Sequence, residues 1–443
     1  MMSRKALFFI TVASTLSATT VLAAEMALQL SLRDALNRAP EANFQILLAR
    51  EGVLSQEEVV RSSRSALLPR VSLEARQSRS MTPAMDPLYE MFPDLPDRFF
   101  MDRFDGVLRA RLSLINTRSL DDWKLSKLSL AATEWQLQET TQAILERIAI
   151  LYFTHWRNER RMSVIDANLE RDKVLLQIAT DQKNAGVATA LDVTRAEVGL
   201  AGNELARLQQ ETTVLESALT LKQVLNLPLG RELELTAEPY FEEETNIAFS
   251  EEGFRKVLQN RPDYQALSTE LERESLAVRA ARREHLPSME LSGQWGYLSE
   301  SWSDPMEEQW NIQLGVSVPV FEGFRIDAGK RLAASALRQR QIERDDLESR
   351  IESEYRLRLQ QLQSSAKQVK VAQRTRDLSE REFNLERIRF EEGVADNSNV
   401  VIAQTNLADA EDALVEAEFQ YILARINLAR AEGDVLQVLE TRR

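Results

Sequence analysis

Two long stretches of the chain repeat their large apolar residues every seven positions. The repeat is clearest near the C-terminus, where alanine follows each large residue three positions later. The large residues are Val400, Leu407, Leu414, Tyr421 and Leu428, and the alanines are Ala403, Ala410, Ala417, Ala424 and Ala431. A heptad repeat predicts a coiled coil, and its alanines predict that the helices approach each other closely.

Proline and glycine divide these stretches into hairpins. All 12 prolines lie outside residues 97–227 and 320–443, and proline inside a helix costs about 3 kcal/mol. Gly186 and Gly393 interrupt the two stretches, so each stretch is predicted to fold as two antiparallel helices. The predicted helices cover residues 119–183, 189–225, 326–392 and 398–431. The first of them would be roughly 100 Å long at 1.5 Å per residue.

Two further segments in each half alternate apolar and polar residues over about 10 positions, as strands of a transmembrane β-barrel do. The predicted strands cover residues 71–80, 107–115, 288–298 and 310–320. The connections Met81–Phe104 and Ser299–Gln309 are predicted loops. Aromatic residues at the strand ends favour a bilayer interface over the alternative, a half-buried strand of a soluble sheet. These barrel-interface aromatics are Trp295, Tyr297, Trp302 and Trp310.

The two halves of the chain repeat one arrangement. Gly186 and Leu200 align with Gly393 and Leu407 at a shift of 207 residues. Similarity at a fixed shift predicts a structural duplication. We predict a signal peptide over residues 1–24, a first repeat over residues 25–230 and a second repeat over residues 231–443.

The N-terminus has the pattern of an export signal. Arg4 and Lys5 precede a short apolar segment, and small residues follow at Ala23 and Ala24, where cleavage is expected. Charged residues interrupt every later apolar run before it reaches the roughly 18 residues of a membrane helix. If the mature chain crosses a membrane, we therefore expect it to cross as strands.

Composition argues against several functions. The chain has no cysteine, which excludes disulfides, thiolate metal sites and a lipidated N-terminal cysteine, and its formal charge of -14 argues against nucleic acid as a partner. The only histidines, His155 and His285, have no ligand-like spacing to other candidates. We expect no catalytic residues, no metal site and no cofactor, and therefore no enzyme.

Four strands cannot close a barrel, and open sheet edges are not tolerated in lipid. Several copies of the chain must then share one barrel. Two copies would supply 8 strands and three would supply 12, and periodicity alone permits both.

The order of these elements, given twice, resembles the TolC family of outer-membrane efflux proteins. The family's motifs are present as the segment from Val318 to Gly323, as Ala149–Phe153 in the first long helix, and as the two Gly-Val turns. The resemblance implies an α+β membrane protein. It also implies a homotrimer, in which a 12-strand barrel continues into a long coiled-coil barrel through the periplasm.

The family resemblance also implies which residues form the entrance. The turns at Gly186-Val187 and Gly393-Val394 would dock a periplasmic adaptor, and acidic residues beside them would line a constriction. The constriction candidates are Asp192, Glu391, Asp396 and Asn399. The chain departs from the family's pattern in the second repeat, where Asn399 and Ile402 replace common aspartates. Phe390 and Ala395 replace the Tyr and Arg that latch neighbouring helix pairs, so we expect the closed state to rest more on packing.

The predicted function is a passive exit duct of a tripartite efflux or type I secretion system. Its predicted location is the outer membrane, with a periplasmic tunnel, and its expected partners are a periplasmic adaptor, an inner-membrane transporter, outer-membrane lipid and further copies of itself. The pattern is equally compatible with export of drugs, metal ions or proteins. The alternative is a secreted periplasmic coiled-coil scaffold or adaptor without a channel, which would not explain the duplicated strands.

Overall fold

The computed structural model describes residues 28–83, 98–236, 248–299, 305–392, 394 and 397–436. The predicted signal peptide lies outside these residues. The helices are α1 (Leu32–Ala42), α2 (Phe44–Ser65), α3 (Thr117–Asn184), α4 (Ala190–Val224), α5 (Glu251–Asn260), α6 (Pro262–Arg283), α7 (Arg325–Glu391) and α8 (Asn397–Ala431). The strands are β1 (Leu28–Leu30), β2 (Arg70–Pro83), β3 (Arg98–Ile115), β4 (Leu233–Leu235), β5 (Ser288–Ser299) and β6 (Glu307–Ser317).

The four predicted long helices are confirmed, with ends within two residues of those expected. Helices α3 and α4 form the first long hairpin, and α7 and α8 form the second. Helix α3 has 68 residues, which corresponds to roughly 100 Å. Asn116 caps its start by accepting a hydrogen bond from the Ser119 N–H at 3.1 Å, as a short polar N-cap residue does.

The helices lie side by side, and α3 and α7 run the full length of the bundle. Nearer the sheet, α2 and α6 flank α3, and α7 packs on α6. Nearer the turns, α4 and α8 flank α3, and α7 packs on α8. Helix α7 therefore occupies one outer edge of the chain's helical layer, and the other edge is formed by α2 nearer the sheet and by α4 nearer the turns.

The main apolar core lies where these two parts of the bundle meet. The middle of α3 packs there against α1, the ends of α4 and α8, and the small parallel sheet of β1 and β4. Tyr152 is fully buried, and its hydroxyl donates to the Leu30 carbonyl at 3.2 Å. Such a hydrogen bond removes the cost of burying a polar phenol group.

The long strands form one antiparallel sheet in the order β2-β3-β5-β6. The prediction of the strand limits was wrong in two places. The strands of the first half extend into the expected loop Met81–Phe104, because β2 reaches Pro83 and β3 begins at Arg98. Strand β6 covers residues 307–317 rather than 310–320. It begins earlier because Glu307 still pairs with Leu298 of β5, and it ends earlier because Pro319 has no N–H to donate to a neighbouring strand.

Among the helices that the structure describes, none is both long enough and apolar enough to cross a membrane.

Candidate channel wall and entrance

The antiparallel sheet has one apolar and one polar face, because side chains alternate along each strand. The pairing register places Leu73, Leu108, Trp295 and Trp310 in one row across the four strands. The neighbouring row, on the opposite face, contains Ser72, Arg109, Gln294 and Asn311. The sheet can therefore face lipid on one side and water on the other.

Ion pairs connect the strands on the polar face. Arg109 lies 2.9 Å from the Glu74 carboxylate, and Arg111 lies 3.2 Å from that of Glu290. These pairs join β2 to β3 and β3 to β5. They are partly exposed, so each contributes little to stability on its own.

Three of the four predicted interface aromatics lie at one end of the apolar face. Trp295 and Tyr297 are in edge contact, with ring centroids 5.6 Å apart, and Trp310 pairs directly with Trp295. The indole N–H of Trp295 donates to Glu308 at 2.8 Å, so the ring joins an apolar surface to a charged group. Trp302 lies outside the described residues.

The first turn has a backbone that requires glycine. Gly186 has a φ of 78° and open space around its missing side chain, so the conformation alone selects glycine. The Val187 N–H donates to the Gln182 carbonyl at 2.9 Å, as in a Schellman helix end. The Val187 side chain is exposed.

The second turn repeats this hydrogen bond 207 residues later. The Val394 N–H donates to the Arg389 carbonyl at 2.9 Å, and the Val394 side chain is exposed. Gly393, Ala395 and Asp396 lie outside the described residues. The two turns therefore present equivalent exposed valines at the ends of the two hairpins.

The predicted entrance residues differ in their surroundings. Asp192 belongs to the capping box of α4, where its carboxylate accepts hydrogen bonds from the Thr189 hydroxyl at 2.7 Å and N–H at 2.9 Å. These bonds hold the pKa of Asp192 below its usual range. Glu391 is exposed and lies 3.3 Å from Arg387, and Asn399 is exposed on the first turn of α8. The sequence analysis did not reveal that Asp192 caps α4.

An apolar cluster packs the two hairpins together next to the turns. Phe390 is buried there with Phe383, Val400 and Leu407. From the first hairpin, Leu175 joins the cluster, and the Gln182 amide donates to the Phe390 carbonyl at 2.6 Å. The described residues thus place an apolar packing contact between the two hairpins next to their turns.

A buried polar joint, which sequence reasoning missed, connects three helices further from the turns. Asp172 of α3 is buried, and its two carboxylate oxygens each accept an amide hydrogen bond at 2.6 Å, one from Asn203 of α4 and one from Gln404 of α8. A cavity of about 270 Å³ adjoins these side chains. Nearby, Arg171 pairs with Glu411 at 2.5 Å. The joint ties the first hairpin to the second.

A signal for this joint exists in the heptad pattern. Asn168 and Asp172 occupy the inward positions that Leu175 and Ala179 occupy one heptad later, and all four are buried. A polar residue at such a position needs a buried partner. The partner on α8 becomes visible only when the packing of the two hairpins is known.

A sheet with one apolar and one polar face, continued by helices of roughly 100 Å, defines a channel protein of the outer membrane. Comparison with known families agrees with this class. Residues 35–227 and 254–434 match the outer membrane efflux protein family. The chain therefore belongs to the outer membrane efflux protein family.

Similar proteins come from several bacteria. The probable efflux pump outer membrane protein TtgC of Pseudomonas putida is 24% identical over 343 residues, which cover 74% of this chain and 68% of TtgC. The outer membrane efflux protein BepC of Brucella suis is 23% identical over 425 residues, which cover 95% of this chain and 89% of BepC.

Solved structures share the fold. The CmeC outer membrane channel of Campylobacter jejuni aligns with a TM-score of 0.78 at 18% identity, covering 93% of this chain and 88% of CmeC. The open state of the MtrE outer membrane channel of Neisseria gonorrhoeae aligns with a TM-score of 0.77 at 17% identity, covering 91% of this chain and 89% of MtrE.

Proposed function

We propose that three copies of the chain form one passive efflux duct, which docks to a periplasmic adaptor and through it to an inner-membrane pump. Twelve strands would close a barrel in the outer membrane, and the long hairpins would close a tunnel below it. The duct carries out no chemistry of its own. The two repeats divide near residue 230 in this proposal.

The unpartnered edges of the chain carry the proposal. The sheet ends in β2 on one side and β6 on the other, and the helical layer ends in α2 and α4 on one side and in α7 on the other. The first repeat therefore supplies one edge of both layers and the second repeat supplies the other edge. A head-to-tail contact between such edges closes a ring of identical chains.

Both helical edges carry exposed apolar residues at heptad spacing. On α4 these are Leu191, Val198 and Leu205, and on α7 they are Leu357, Val371, Leu378 and Leu385, all more than half exposed in the single chain. Rows of this kind are coiled-coil seams, and no described helix of the same chain covers them. The α4 row of one copy fits the α7 row of the next.

The entrance is proposed at the hairpin ends, which lie farthest from the sheet. Val187 and Val394 are exposed there on turns with the same hydrogen bond, which suits a repeated docking surface for an adaptor. Asp192, Glu391, Asp396 and Asn399 would surround the opening, and the apolar cluster around Phe390 would hold it closed. Names such as efflux pump outer membrane protein among the relatives support export through a pump.

Crosslinking between the two helical edges tests the assembly. Leu205 lies 15 residues into α4, and Leu378 lies 13 residues before the end of α7, so the two side chains lie at similar heights above the turns. Because the chain has no cysteine, a variant with both Leu205→Cys and Leu378→Cys has no background thiols. A short bis-maleimide should link it in native membranes into a ladder that ends at three chains.

The two single variants are the matched controls. In a head-to-tail ring the α4 edge of one chain never meets the α4 edge of another, and the same holds for α7. Crosslinking of a single variant would indicate a two-fold dimer instead. A double variant that stays uncrosslinked, or a purified protein without conductance in planar bilayers, would contradict the duct and favour a scaffold without a channel.

A further inference from the structure

The two strand pairs of the sheet differ in their basic residues. Strands β2 and β3 contain seven arginines, whereas residues 288–317, which cover the second pair and its connection, contain neither arginine nor lysine. At the shift that aligns Pro69 with Pro287, Arg70 corresponds to Ser288. The internal duplication therefore does not account for these arginines, in a chain whose formal charge is -14.

Three of the arginines meet on the polar face of the sheet, at the end nearer the helices. Arg70 and Arg111 are directly opposite each other on β2 and β3, and Arg109 takes the next position on the same face, opposite Ser72. Directly opposite residues have Cα atoms about 4.5 to 5.5 Å apart, and like charges in such a pair repel each other. We refer to Arg70, Arg109 and Arg111 as the arginine belt. Its closely spaced positive charges are unfavourable unless anionic groups compensate them.

Carboxylates of the same chain compensate only part of this charge. The Arg109 Nη1 atom lies 2.9 Å from the Glu74 carboxylate, and the Arg111 Nε atom lies 3.2 Å from that of Glu290. Among the residues that the structure describes, no carboxylate lies within ion-pair distance of Arg70. Each chain therefore carries an uncompensated positive charge at this level of the sheet.

The neighbouring copy does not supply the missing carboxylate in the proposed ring. There β2 of one copy lies beside β6 of the next, because these are the two edge strands of the sheet. The polar-face positions of β6 are Glu307, Gln309, Asn311, Gln313, Gly315 and Ser317. Only Glu307 is charged, and it lies at the end of β6 farther from the helices, whereas Arg70 lies at the end of β2 nearer to them. The positive charge therefore remains uncompensated in the assembled barrel.

We propose that the arginine belt binds oxyanions, namely the phosphate, carboxylate or sulfonate groups of solutes that pass through the barrel. One oxyanion between Arg70 and Arg111 would accept charge-assisted hydrogen bonds from both guanidinium groups, whose flat fork of N–H donors matches its oxygens. Arg109 adds positive charge from the next position. Ser292 and Gln294, opposite Arg111 and Arg109 on β5, are neutral and provide further donors.

The belt rests on the proposed function, since only a closed barrel makes the polar face a water-filled passage. Three copies would place a ring of arginines where the barrel meets the helical tunnel. Rings of arginine favour anions in pores, so the belt specifies solutes that carry an oxyanion as the substrate class of the duct. It lies at the opposite end of the long helices from Asp192, so the two ends of the tunnel would attract opposite charges.

Block of the conductance by tripolyphosphate, a small multivalent oxyanion, tests the belt in the full-length assembly in planar bilayers. The test variant carries both Arg70→Gln and Arg111→Gln. A second variant, Glu290→Gln, removes the carboxylate that competes for Arg111. The matched control is Arg79→Gln, because Arg79 lies on β2 but on the apolar face, and its side chain is about as exposed as that of Arg111. All four side chains are exposed, so these substitutions should leave the fold intact.

Tripolyphosphate added on the barrel side reaches the belt without passing the entrance and should block the parent. The double glutamine variant should need at least about tenfold more tripolyphosphate for half block, because it loses charge-assisted hydrogen bonds. Glu290→Gln should need less than the parent, and Arg79→Gln should need the same amount. An unblocked parent, an unchanged double variant, or an equal loss of block in Arg79→Gln would overturn the belt.

A parent without any conductance would refute the duct rather than the belt. Calorimetric titration of the purified parent and double variant with tripolyphosphate then decides the belt separately. Binding heat that the parent shows and the double variant lacks would support the site, and equal heat in both proteins, or none in the parent, would overturn it.

Discussion

His155 should make the protein less stable as the pH falls below neutral. The ring is buried between α3 and α4, and its Nδ1 lies 2.8 Å from the Ser217 hydroxyl. Because that hydroxyl donates to the Val214 carbonyl, Nδ1 must carry the proton and Nε2 must be bare. Burial, with help from Lys222, lowers the pKa of His155 from 6.5 to about 4.

The magnitude follows from linkage between protonation and folding. The unfolded chain binds this proton near pH 6.5, whereas the folded chain binds it only near pH 4. Stability is therefore lost as the pH falls through that window. At about 1.36 kcal/mol for each unit of pKa difference, one histidine costs about 2 kcal/mol by pH 5 and about 3 kcal/mol by pH 4.

Other groups around the ring act in different directions. Glu159 lies 3.5 Å from Nε2, and burial together with the nearby Glu234 raises the pKa of Glu159. A raised carboxyl pKa favours the folded state at low pH and loses that effect as the pH rises. The comparison must therefore be between the parent and a variant that lacks only the imidazole.

The assay compares denaturant unfolding of the parent and His155→Gln in detergent between pH 7.5 and 4.5. The glutamine amide can still donate to Ser217. Any loss of stability that does not depend on pH shifts the whole curve of unfolding free energy against pH and leaves its slope unchanged. The parent should lose about 2 kcal/mol relative to the variant by pH 5. Parallel stability curves would refute the reasoning, as would an NMR titration in which His155 becomes protonated near pH 6.5. With only two histidines in the chain, His285→Gln assigns the two signals.

Four further substitutions follow from the hairpins. Asp172→Ala removes two charge-assisted hydrogen bonds and should cost about 2 to 4 kcal/mol, read from the denaturation midpoint; a loss below about 0.5 kcal/mol would show that the joint is not structural. Phe390→Ala should cost about 3 to 5 kcal/mol and raise resting conductance in planar bilayers. Unchanged conductance would show that the apolar cluster does not hold the entrance closed. Gly186→Ala should cost about 1 to 2 kcal/mol because its φ is positive. The control Gly202→Ala, inside α4, should instead stabilise by about 0.5 to 1 kcal/mol. Changes in unfolding free energy of the same sign in the two variants would contradict this. Asp192→Ala should cost about 1 kcal/mol as a lost capping box and reduce cation preference in conductance, and a cost without a change in preference would leave Asp192 a helix cap only.

The long helices were predictable because their limits have strong local causes. Asn116 and Thr189 provide N-caps, and Gly186 provides the left-handed residue that ends the first long helix. Each of these signals acts within a few residues of the position it determines. The helix limits therefore needed no knowledge of the tertiary contacts.

The strand limits were less predictable, because alternation continues where hydrogen bonding stops. Val318 and Val320 extend the period of β6, but the last paired residue is Ser317. In the first half the reverse occurs, since β3 pairs back to Arg98 through a segment expected to be a loop. Strand ends depend on the partner strand, which a single sequence does not display.

The polar contacts inside the bundle were the least predictable part of the candidate site. Asp172 and Gln404 are 232 residues apart, and their contact depends on how the two hairpins pack. His155 and Ser217 meet for the same reason, across the pair of α3 and α4. Heptad analysis identifies such positions as unusual but does not supply the partner.

The head-to-tail edges also have a genetic consequence. In the proposed ring, a chain with a damaged α4 edge and an intact α7 edge still binds one neighbour, but it leaves the ring open. If such a chain and the parent are made in equal amounts and mix freely, only about one ring in eight contains three chains with both edges intact. One defective allele would then remove most of the duct activity in a cell that also carries a normal copy.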